Sequence, residues 1–310
     1  MTAPALVISL DTELAWGAQG LESTLGLSSD GTNERKKVDS LLKLFSEYDA
    51  RVTWAIVGHL FFEGCNGDHP ELEGNNYPPN WWTSDPGTDV DRDPLRYAPD
   101  LVDKILSAPN RHEIGSHTFS HSLWGHGPIN ATTIKAELAL TNKVANRSGI
   151  SIESITFPQN RIGNIRNMTD IAPFIYRGTS VETEMRNSKR YGRLKKFLRY
   201  LKREPAPIVE PQKEYEDIWN LPASMNWAYS NHPIGNSVSD LTEPNIRVTR
   251  AKKALDKISQ SGGILHIWAH PYDFGKNRLA DLSQVLEYAE MKRIPVIPMQ
   301  DAVQKAKTVN

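Results

Sequence analysis

The sequence predicts an α/β fold with a mainly parallel sheet, arranged as a barrel rather than a short open sheet. Short apolar runs that are typical of buried strands alternate along the chain with segments of amphipathic helix, and this order is typical of βα units. Such units number roughly seven, which fits a barrel better than a short open sheet. The predicted strands are residues 5–10, 52–57, 154–157, 218–221, 264–269 and 296–299.

The individual elements follow from apolar spacing. Residues 5–10 form an uninterrupted apolar run almost at the first residue, which is typical of a strand buried on both faces. The first predicted helix spans residues 34–48, and its apolar residues recur at spacings of three, one and three, so they share one helical face. These residues are Val38, Leu41, Leu42 and Phe45. The same pattern predicts helices at residues 132–147, 247–259 and 279–292.

Composition excludes several classes of protein. Thirty-six Lys and Arg against 37 Asp and Glu leave a net charge of −1, so no global field draws the chain to nucleic acid. The single cysteine, Cys65, excludes an intramolecular disulfide, which fits a reducing compartment. The first residues lack the pattern of a signal peptide, and no run approaches the ~18 apolar residues of a membrane span. We therefore expect one domain over residues 1–310, in the cytoplasm.

Two stretches interrupt the alternation and predict long βα-loop insertions. The first, residues 63–99, holds six prolines and four glycines and follows a predicted strand, so it should lie at the face where barrel enzymes place their sites. Its aromatic residues, Trp82 among them, form either a platform for a sugar ring or a lid packed on itself. Residues 222–245 are irregular too, and we interpret them in the same way.

The second insertion, residues 186–216, begins with a basic amphipathic segment. Residues 186–203 carry nine Lys or Arg and no acid, with leucines and a phenylalanine at helical spacing. Such a helix either lies on an anionic membrane, as a peripheral contact at its inner face, or packs its apolar edge on the barrel or on another subunit. Failure to bind anionic liposomes at low salt would exclude the first alternative. The oligomeric state is left open.

Two carboxylates end the first predicted strand, in the segment SLDTE. If strand geometry continues, Asp11 and Glu13 point to the same face, because side chains alternate along a strand. Two carboxylates at the end of a buried strand are costly unless they are paired or bind a cation. The alternative is an exposed loop pair, or an aspartate that caps the next element.

Histidines follow in two further segments, SHTFSH and HIWAHP. His117 and His121 are four residues apart and would share one face of a helix, and imidazole is a common metal ligand. In the second segment, strand alternation places His266, Trp268 and His270 on one side. A core histidine satisfied by the backbone is the competing interpretation, and it suits His266 better than His270. One acid with two histidines is a set that binds a divalent metal with open positions.

Taken in order, these segments resemble the motifs of the polysaccharide deacetylase family, the NodB-homology group also called carbohydrate esterase family four. The likeness covers most of the chain through SLDTE, SHTFSH, TFPQNR and HIWAHP. It implies a distorted (β/α)₇ barrel with long loop insertions. It also implies a metal held by one carboxylate and two histidines, and hydrolysis of an N-acyl group on a sugar.

The sequence departs from that family in two motifs. The usual opening motif has two adjacent aspartates, a base followed by a ligand. Here Thr12 takes the second place, so ligation shifts to Glu13 and Asp11 is left as the base, an Asp-x-Glu variant. The usual third motif has an arginine before its proline, whereas here the nearest arginine is Arg161, after it. The group that orients the base is therefore not identified.

The resemblance implies a role for each residue. A divalent metal, with Zn²⁺ favoured, would be held by Glu13, His117 and His121. Asp11 would take a proton from water, and His270 would protonate the departing sugar nitrogen, with His266 next in line. By analogy, a backbone N–H near Pro158 would stabilise the oxyanion. The candidate substrate contacts are Trp82, Asn160, Arg161 and Trp268.

The expected substrate is an N-acylated sugar in surface-glycan biosynthesis. Acetyl is favoured by the resemblance, and formyl fits the same chemistry. A cytoplasmic enzyme would meet a nucleotide-linked or lipid-linked sugar rather than cell-wall polymer. Two rival hypotheses stay open. One is a glycoside hydrolase that uses Asp11 and Glu13 without metal. The other is a catalytically silent carbohydrate-binding protein on the same scaffold.

Overall fold

A curled, mainly parallel sheet forms the centre of the protein. The computed structural model describes residues 2–18, 27–78, 81, 85–125, 127–169, 174–180, 199–215, 217–228 and 245–308. The strands in these ranges are β1 (Ala5–Thr12), β2 (Thr53–Ile56), β3 (Glu113–Ser116), β4 (Ser154–Ile155), β5 (Ile175–Gly178), β6 (Gln212–Tyr215), β7 (Ile218–Pro222), β8 (Met225–Asn226) and β9 (Ile264–Ala269). They form one sheet in the order β6-β7-β5-β4-β3-β2-β1-β9-β8.

The sheet is parallel except at one edge, which confirms the predicted fold class. β1 pairs in parallel with β2 and β9, and β3, β4, β5 and β7 continue the parallel register. Only the edge pair β6–β7 among the described strands is antiparallel. The sheet curls into a half-barrel. Because parallel strands end at the same edge, the residues that follow β1, β3, β4 and β9 lie close together, and these are the motif residues.

Helices cover the sheet. In the described ranges they are α1 (Thr32–Glu47), α2 (Pro99–Leu106), α3 (Ala131–Arg147), α4 (Ile246–Ser261), α5 (Lys276–Met291) and α6 (Met299–Lys307). Asparagine side chains cap two of them. Asn130 accepts from the N–H of Thr133 at 2.9 Å, and Asn245 accepts from the N–H of Arg247 at 2.9 Å. All four predicted helices are confirmed, with ends displaced by three residues or fewer.

Strand β1 lies in the middle of the core. All eight of its residues are buried, as expected for a parallel strand covered on both faces. The main apolar cluster joins β1, β2 and β9 to the inner faces of α1, α2, α4 and α5. The apolar run predicted from the sequence is therefore the strand that carries Asp11 into the interior.

One predicted strand is wrong, and several strands were not predicted. Residues 296–299 form a single parallel bridge between Val296 and Leu6, and α6 begins at Met299. Pro298 occupies the N-cap of α6, and a proline cannot donate a ladder hydrogen bond. The unpredicted strands β3, β5, β6 and β8 have two to four residues each. Their short length, and in β3, β5 and β6 also their charged residues, conceal the apolar pattern.

Several sequence expectations lie largely outside the described residues. Among the nine cations of 186–203, only those from 199 onward are described, and Arg199 pairs with Glu204 at 2.6 Å. The basic helix, the insertion boundaries and the single domain over 1–310 stay predictions. No helix in the described ranges has both the length and the apolar character needed to span a membrane.

Candidate metal and catalytic centre

The three predicted metal ligands meet at the carboxyl edge of the sheet. Glu13 lies just beyond the last residue of β1, and His117 lies just beyond the last residue of β3. Nε2 of His117 and Nε2 of His121 lie 3.0 and 2.9 Å from Oε2 of Glu13. All three residues are buried, and one ligand atom from each lies within 4.8 Å of the others. The fold therefore brings together residues that are more than 100 positions apart in the chain.

The hydrogen bonding of His117 indicates that this point suits a cation. Nδ1 of His117 lies 2.8 Å from the carbonyl oxygen of Thr156, an atom that only accepts, so Nδ1 carries the proton. Nε2 faces a carboxylate oxygen of Glu13, so a proton or a metal ion must lie between the two atoms. A metal ion bound there would be held by both atoms. One carboxylate and two imidazoles are donors that Zn²⁺ and related ions accept, so the residues fit the implied metal.

Burial and charge shift the pKa values of Glu13 and His121, the other two predicted ligands. Burial alone would raise the pKa of Glu13, but the charges of His270 and His121 outweigh it and lower the pKa well below its usual value. Burial lowers the pKa of His121, and the Glu13 carboxylate offsets part of that effect. Glu13 is thus held as a carboxylate, the form that binds a metal.

The turn that carries the two histidines is irregular, so the predicted helical face for them is wrong. Residues 117–121 contain no helix, and Thr118 and His121 have φ angles of 61° and 60°. Such left-handed conformations are costly for residues other than glycine and persist only where the surroundings hold them. Here they turn the chain so that both imidazoles reach the same carboxylate oxygen.

Glu137 on α3 holds this turn in place, and the sequence analysis did not identify it. Its Oε2 accepts from the backbone N–H groups of Phe119 at 2.8 Å and Ser120 at 3.1 Å. Its Oε1 accepts from the hydroxyls of Tyr77 at 2.7 Å and Ser120 at 2.5 Å. Glu137 is fully buried. A buried carboxylate that serves four donors is matched to its site, because it accepts at every position.

Glu137→Gln is expected to destabilise the protein by about 1–3 kcal/mol, because the amide NH₂ would face donors and leave them unsatisfied. The histidine turn would then loosen, and the metal affinity would fall. Urea unfolding and metal content of the purified variant would measure both effects. Glu153→Gln, in the loop before β4, serves as the matched control. Unchanged stability and metal content in Glu137→Gln would contradict the supporting role.

Asp11 lies beside the predicted ligands and is clamped by a buried arginine. Arg177 donates from Nη1 to Oδ1 and from Nη2 to Oδ2 of Asp11, each at 2.7 Å. The Thr156 hydroxyl also donates to Oδ1 at 3.1 Å and lies 2.8 Å from Nδ1 of His117. Burial alone would raise the pKa of Asp11, but the Arg177 charge, aided by His117, lowers it. Asp11 is therefore ionised and is linked to a predicted ligand through one hydroxyl.

Arg177 holds Asp11 in place, whereas the proline motif TFPQNR has no arginine before its proline. Arg177 comes from β5, the strand after the proline motif, and its guanidinium lies 4.6 Å from the ring centroid of Trp268. It also donates to Ser9 Oγ at 3.1 Å and to Asn160 Oδ1 at 2.9 Å. The available sequence signal was an arginine inside the short apolar run FIYRG. A fully buried arginine in such a run requires an anionic partner.

His270 faces Glu13 from the end of β9. Its Nδ1 lies 2.9 Å from Oδ2 of Asp273, its ring stacks on Tyr272 at a centroid distance of 4.9 Å, and its Nε2 lies 3.5 Å from Oε1 of Glu13. The side chain is 19% exposed, the most accessible of the central groups. Burial lowers the pKa of His270, but the carboxylates of Glu13 and Asp273 outweigh it and raise the pKa to about 9. Asp273 therefore orients a ring whose Nε2 points into the site.

His266 is a core histidine, as the competing interpretation held. It is fully buried and lies 3.0 Å from Ser9 Oγ and 3.1 Å from the carbonyl oxygen of Pro222. Burial, with the nearby charge of Arg177, lowers the pKa of His266 to about 3. A neutral ring enclosed in this way is no reserve proton donor for an exposed substrate.

Glu13 is enclosed by two further residues. The Tyr272 hydroxyl donates to its Oε1 at 2.7 Å, and burial beside this carboxylate raises the pKa of Tyr272, so it stays a phenol. Gly17 lies against the same side chain, where an added Cβ would come within 2.0 Å of Oε1. The carboxylate is thus fixed by its surroundings, with Oε2 directed to the histidines.

The four predicted substrate contacts lie at different places. Asn160 is partly buried, and its side-chain oxygen accepts from Arg177. Trp268 lies between Arg177 and His270, with its ring 5.9 Å from that of His270. Arg161 is exposed on the loop after β4, and Trp82 lies outside the described residues. Asn160 and Trp268 therefore border the centre, and the roles of all four in substrate binding stay predictions.

Comparisons with known proteins bear on the fold. No family model matches the chain, and no curated protein matches it. Among solved structures, a Mycobacterium smegmatis protein assigned as a polysaccharide deacetylase has a TM-score of 0.60 at 14% identity, covering 99% of this chain and 91% of its own. A Pseudomonas aeruginosa PAO1 protein assigned likewise has a TM-score of 0.59 at 15% identity, covering 97% and 90%.

A third similar structure is a glycoside hydrolase. It is a GH57 branching enzyme of Thermococcus kodakaraensis, with a TM-score of 0.56 at 10% identity, covering 97% of this chain and 71% of its own. At these identities the comparisons concern the fold, and they confirm that the chain has the fold of the NodB-homology deacetylases. Because two kinds of enzyme share that fold, the choice of activity depends on the residues of the site.

Proposed function

We propose that this chain is a metal-dependent hydrolase that removes an N-acyl group from an amino sugar. The observation that carries the proposal is the convergence of Glu13, His117 and His121 on one point, beside a clamped carboxylate and opposite an accessible histidine. These five groups provide a cation site, a base and a proton donor, which together constitute the machinery for hydrolysis of an amide. The fold shared with polysaccharide deacetylases supports the same class of reaction.

A divalent cation held by Glu13, His117 and His121 would supply Lewis acidity to the amide carbonyl and to the attacking water. Asp11 accepts a proton from that water as the water oxygen bonds to the amide carbonyl carbon. Among the described residues, Oδ2 of Asp11 accepts only from Arg177, whereas Oδ1 has two donors, so Oδ2 is the better placed acceptor. Arg177 keeps this carboxylate in position and ionised before the reaction.

His270 completes the reaction by donating a proton from Nε2 to the sugar nitrogen as the carbon–nitrogen bond breaks. An amine leaves poorly without such a proton. Asp273 accepts from Nδ1 and so directs Nε2 into the site. The products are a free carboxylate and an amino sugar, and the atoms of one water are divided between them.

His270→Ala is expected to lower kcat by about 10²–10⁴-fold, the usual contribution of a positioned general acid, with little change in metal content. Steady-state assay of acyl release together with elemental analysis would measure both quantities. Asp273→Asn, which leaves the ring present but less well oriented, should produce a smaller loss. Near-normal kcat in His270→Ala would remove this residue from the mechanism.

The residues that border the centre suit a sugar substrate. Trp268 and Asn160 adjoin Arg177, and an aromatic face beside polar groups suits a sugar ring. The acyl group is acetyl in our proposal, with formyl as the variant that the same chemistry accepts. We propose Zn²⁺ as the ion and a nucleotide- or lipid-linked sugar in surface-glycan assembly as the carrier.

The test is acyl release with the metal as the variable. Purified protein would be assayed for acetate and formate release from N-acylated amino-sugar nucleotides, before and after chelation, and after Zn²⁺ is added back. We expect release that stops on chelation and returns with metal. Release of neither acid from any N-acyl sugar by metal-loaded protein would overturn the proposal and favour the silent carbohydrate-binding alternative.

The glycoside hydrolase hypothesis has weaker support from the site, although a GH57 enzyme shares the fold. Such enzymes need one protonated carboxyl group as general acid. Asp11 is clamped by an arginine and Glu13 lies among two histidines and a tyrosine, so both are held as carboxylates. Glycosidic cleavage that survives chelation would support this alternative instead.

A further inference from the structure

A second group of side chains that could bind a metal lies in the first predicted insertion and in the short turn just before it. His59, Cys65, His69 and Asp85 each direct one donor atom to a common point, and these atoms all lie within 4.8 Å of one another. We call these four residues the loop cluster. None of them belongs to the centre of Glu13, His117 and His121, and the proposed function makes no use of them.

The donor atoms lie within a few tenths of an ångström of the spacing in a tetrahedral metal site. Cys65 Sγ lies 3.6 Å from Nε2 of His59, 3.9 Å from Nε2 of His69 and 3.5 Å from Oδ2 of Asp85. Oδ2 of Asp85 lies 3.1 and 2.8 Å from the two imidazole nitrogens. Tetrahedral zinc with normal bond lengths separates its donors by roughly 3.3–3.7 Å. A small outward shift would therefore accommodate the ion.

The outer atoms of these side chains are already engaged, which leaves the inner ones for a metal. Nδ1 of His59 lies 3.1 Å from the carbonyl oxygen of Arg96, which only accepts, so Nε2 is the nitrogen left to bind a metal. Nε2 of His59 lies 3.1 Å from Oδ2 of Asp85, so a proton or a metal ion must lie between them, as at the first centre. Oδ1 of Asp85 accepts from the N–H of Gly87 at 3.0 Å and from the hydroxyl of Tyr97 at 3.1 Å.

The thiol has a partner of the kind found at zinc–thiolate sites. The N–H of Gly67 donates to Cys65 Sγ at 3.3 Å. Outer contacts of this type orient ligands and tune the metal. One thiolate and one carboxylate would balance the two charges of Zn²⁺, and sulfur with imidazole selects zinc over calcium or magnesium.

We propose that the loop cluster binds one zinc ion in a closed Cys-His₂-Asp site separate from the catalytic centre. Four protein ligands complete a tetrahedral shell, so this site is structural rather than catalytic. On binding, the Cys65 thiol gives its proton to solvent and the metal takes the thiolate. No oxidant or other reactant is required.

This zinc would fix the insertion against the turn of the first centre. The backbone N–H of His59 donates to the carbonyl oxygen of Phe119 at 3.0 Å. The centroid of the Phe119 ring lies 5.8 Å from that of His59 and 5.4 Å from that of His69. Phe119 lies in the chain between His117 and His121. Zinc binding would thus tie the proline- and glycine-rich insertion to the turn of the first centre.

Cobalt substitution gives the sharpest test, because Cys65 is the sole sulfur donor of its kind in the chain. Full-length protein would be stripped of metal, loaded with Co²⁺ alone and examined by absorption spectroscopy. We expect a thiolate-to-cobalt charge-transfer band in the near ultraviolet and about two zinc ions per chain in the native protein. The catalytic centre has no sulfur ligand, so this band reports on the loop cluster whether or not the protein is active.

Single-residue variants would assign each of the two zinc ions to its site. Cys65→Ser should abolish the band and lower zinc content from about two per chain to about one, while His121→Ala should lose the other equivalent and keep the band. Asp68→Asn, exposed in the same loop, is the matched control and should keep both. Absence of the band from cobalt-loaded wild-type protein would overturn the proposal, as would full zinc content in Cys65→Ser. A hydrogen-bonded cluster without metal would then be the better description.

Discussion

Asp11→Asn is expected to lower kcat by about 10²–10⁴-fold, the contribution of a positioned general base, while the metal stays bound. Asparagine has the size of aspartate and retains one acceptor oxygen, but it cannot take a proton from water. It also leaves the buried Arg177 charge without its anionic partner, and breaking a buried pair costs about 3–5 kcal/mol. The variant should therefore be both slow and less stable.

The two effects of Asp11→Asn can be separated by experiment. Acyl release would be measured at a temperature where circular dichroism shows the variant folded, with metal content determined on the same sample. Arg177→Lys is the matched comparison, because it retains a cation but loses the two-pronged contact. It should be destabilised and partly active, since the base remains. A folded, metal-loaded Asp11→Asn with normal kcat would exclude Asp11 as the base.

His121→Ala is expected to lose the bound metal of the first centre and, with it, acyl release down to background. Substitution of groups that merely contact ligands costs about 10–100-fold in metal affinity, so loss of a direct ligand should cost more. Removing His121 also takes from the buried Glu13 carboxylate one of its polar contacts. Added Zn²⁺ should restore chelated wild-type protein but not this variant.

The control for His121→Ala is the histidine that lies just before the other end of β3. His112 precedes β3 at the opposite end from the metal site, and its Nδ1 accepts from the N–H of Val52. His112→Asn should keep its metal content and kcat, although its unfolding free energy will fall slightly. Equal metal content in His121→Ala and His112→Asn would show that His121 is no ligand.

The convergence of the three proposed metal ligands could be predicted because their signal is local and chemical. An acid at the end of an apolar run, and two histidines four residues apart, are visible without knowledge of the fold. Parallel topology then dictates that the ends of β1 and β3 lie at one edge. The prediction was correct about which residues meet, and wrong about how. A helix was expected, whereas left-handed Thr118 and His121 turn the chain instead.

Arg177 and Glu137 could not be predicted, because neither carries a motif. Each acts through a partner far away in sequence, 166 residues for Arg177 with Asp11 and 18 residues for Glu137 with Phe119. Charged residues within apolar segments were visible, but only the fold shows which buried groups they satisfy. The loop cluster is a similar case, since its members are spread over 27 positions of an irregular segment.

The sequence by itself determined the α/β class, the four helices predicted from apolar spacing, and the choice of Glu13, His117 and His121 as the residues that meet at a candidate metal site. It could do so because periodicity and residue chemistry are local properties. Only the tertiary structure decided that Arg177 clamps Asp11, that His266 is enclosed while His270 is accessible, and that three side chains able to bind a metal surround Cys65. The physical reason is that burial, charge pairing and donor geometry depend on distances between segments, which linear order does not contain.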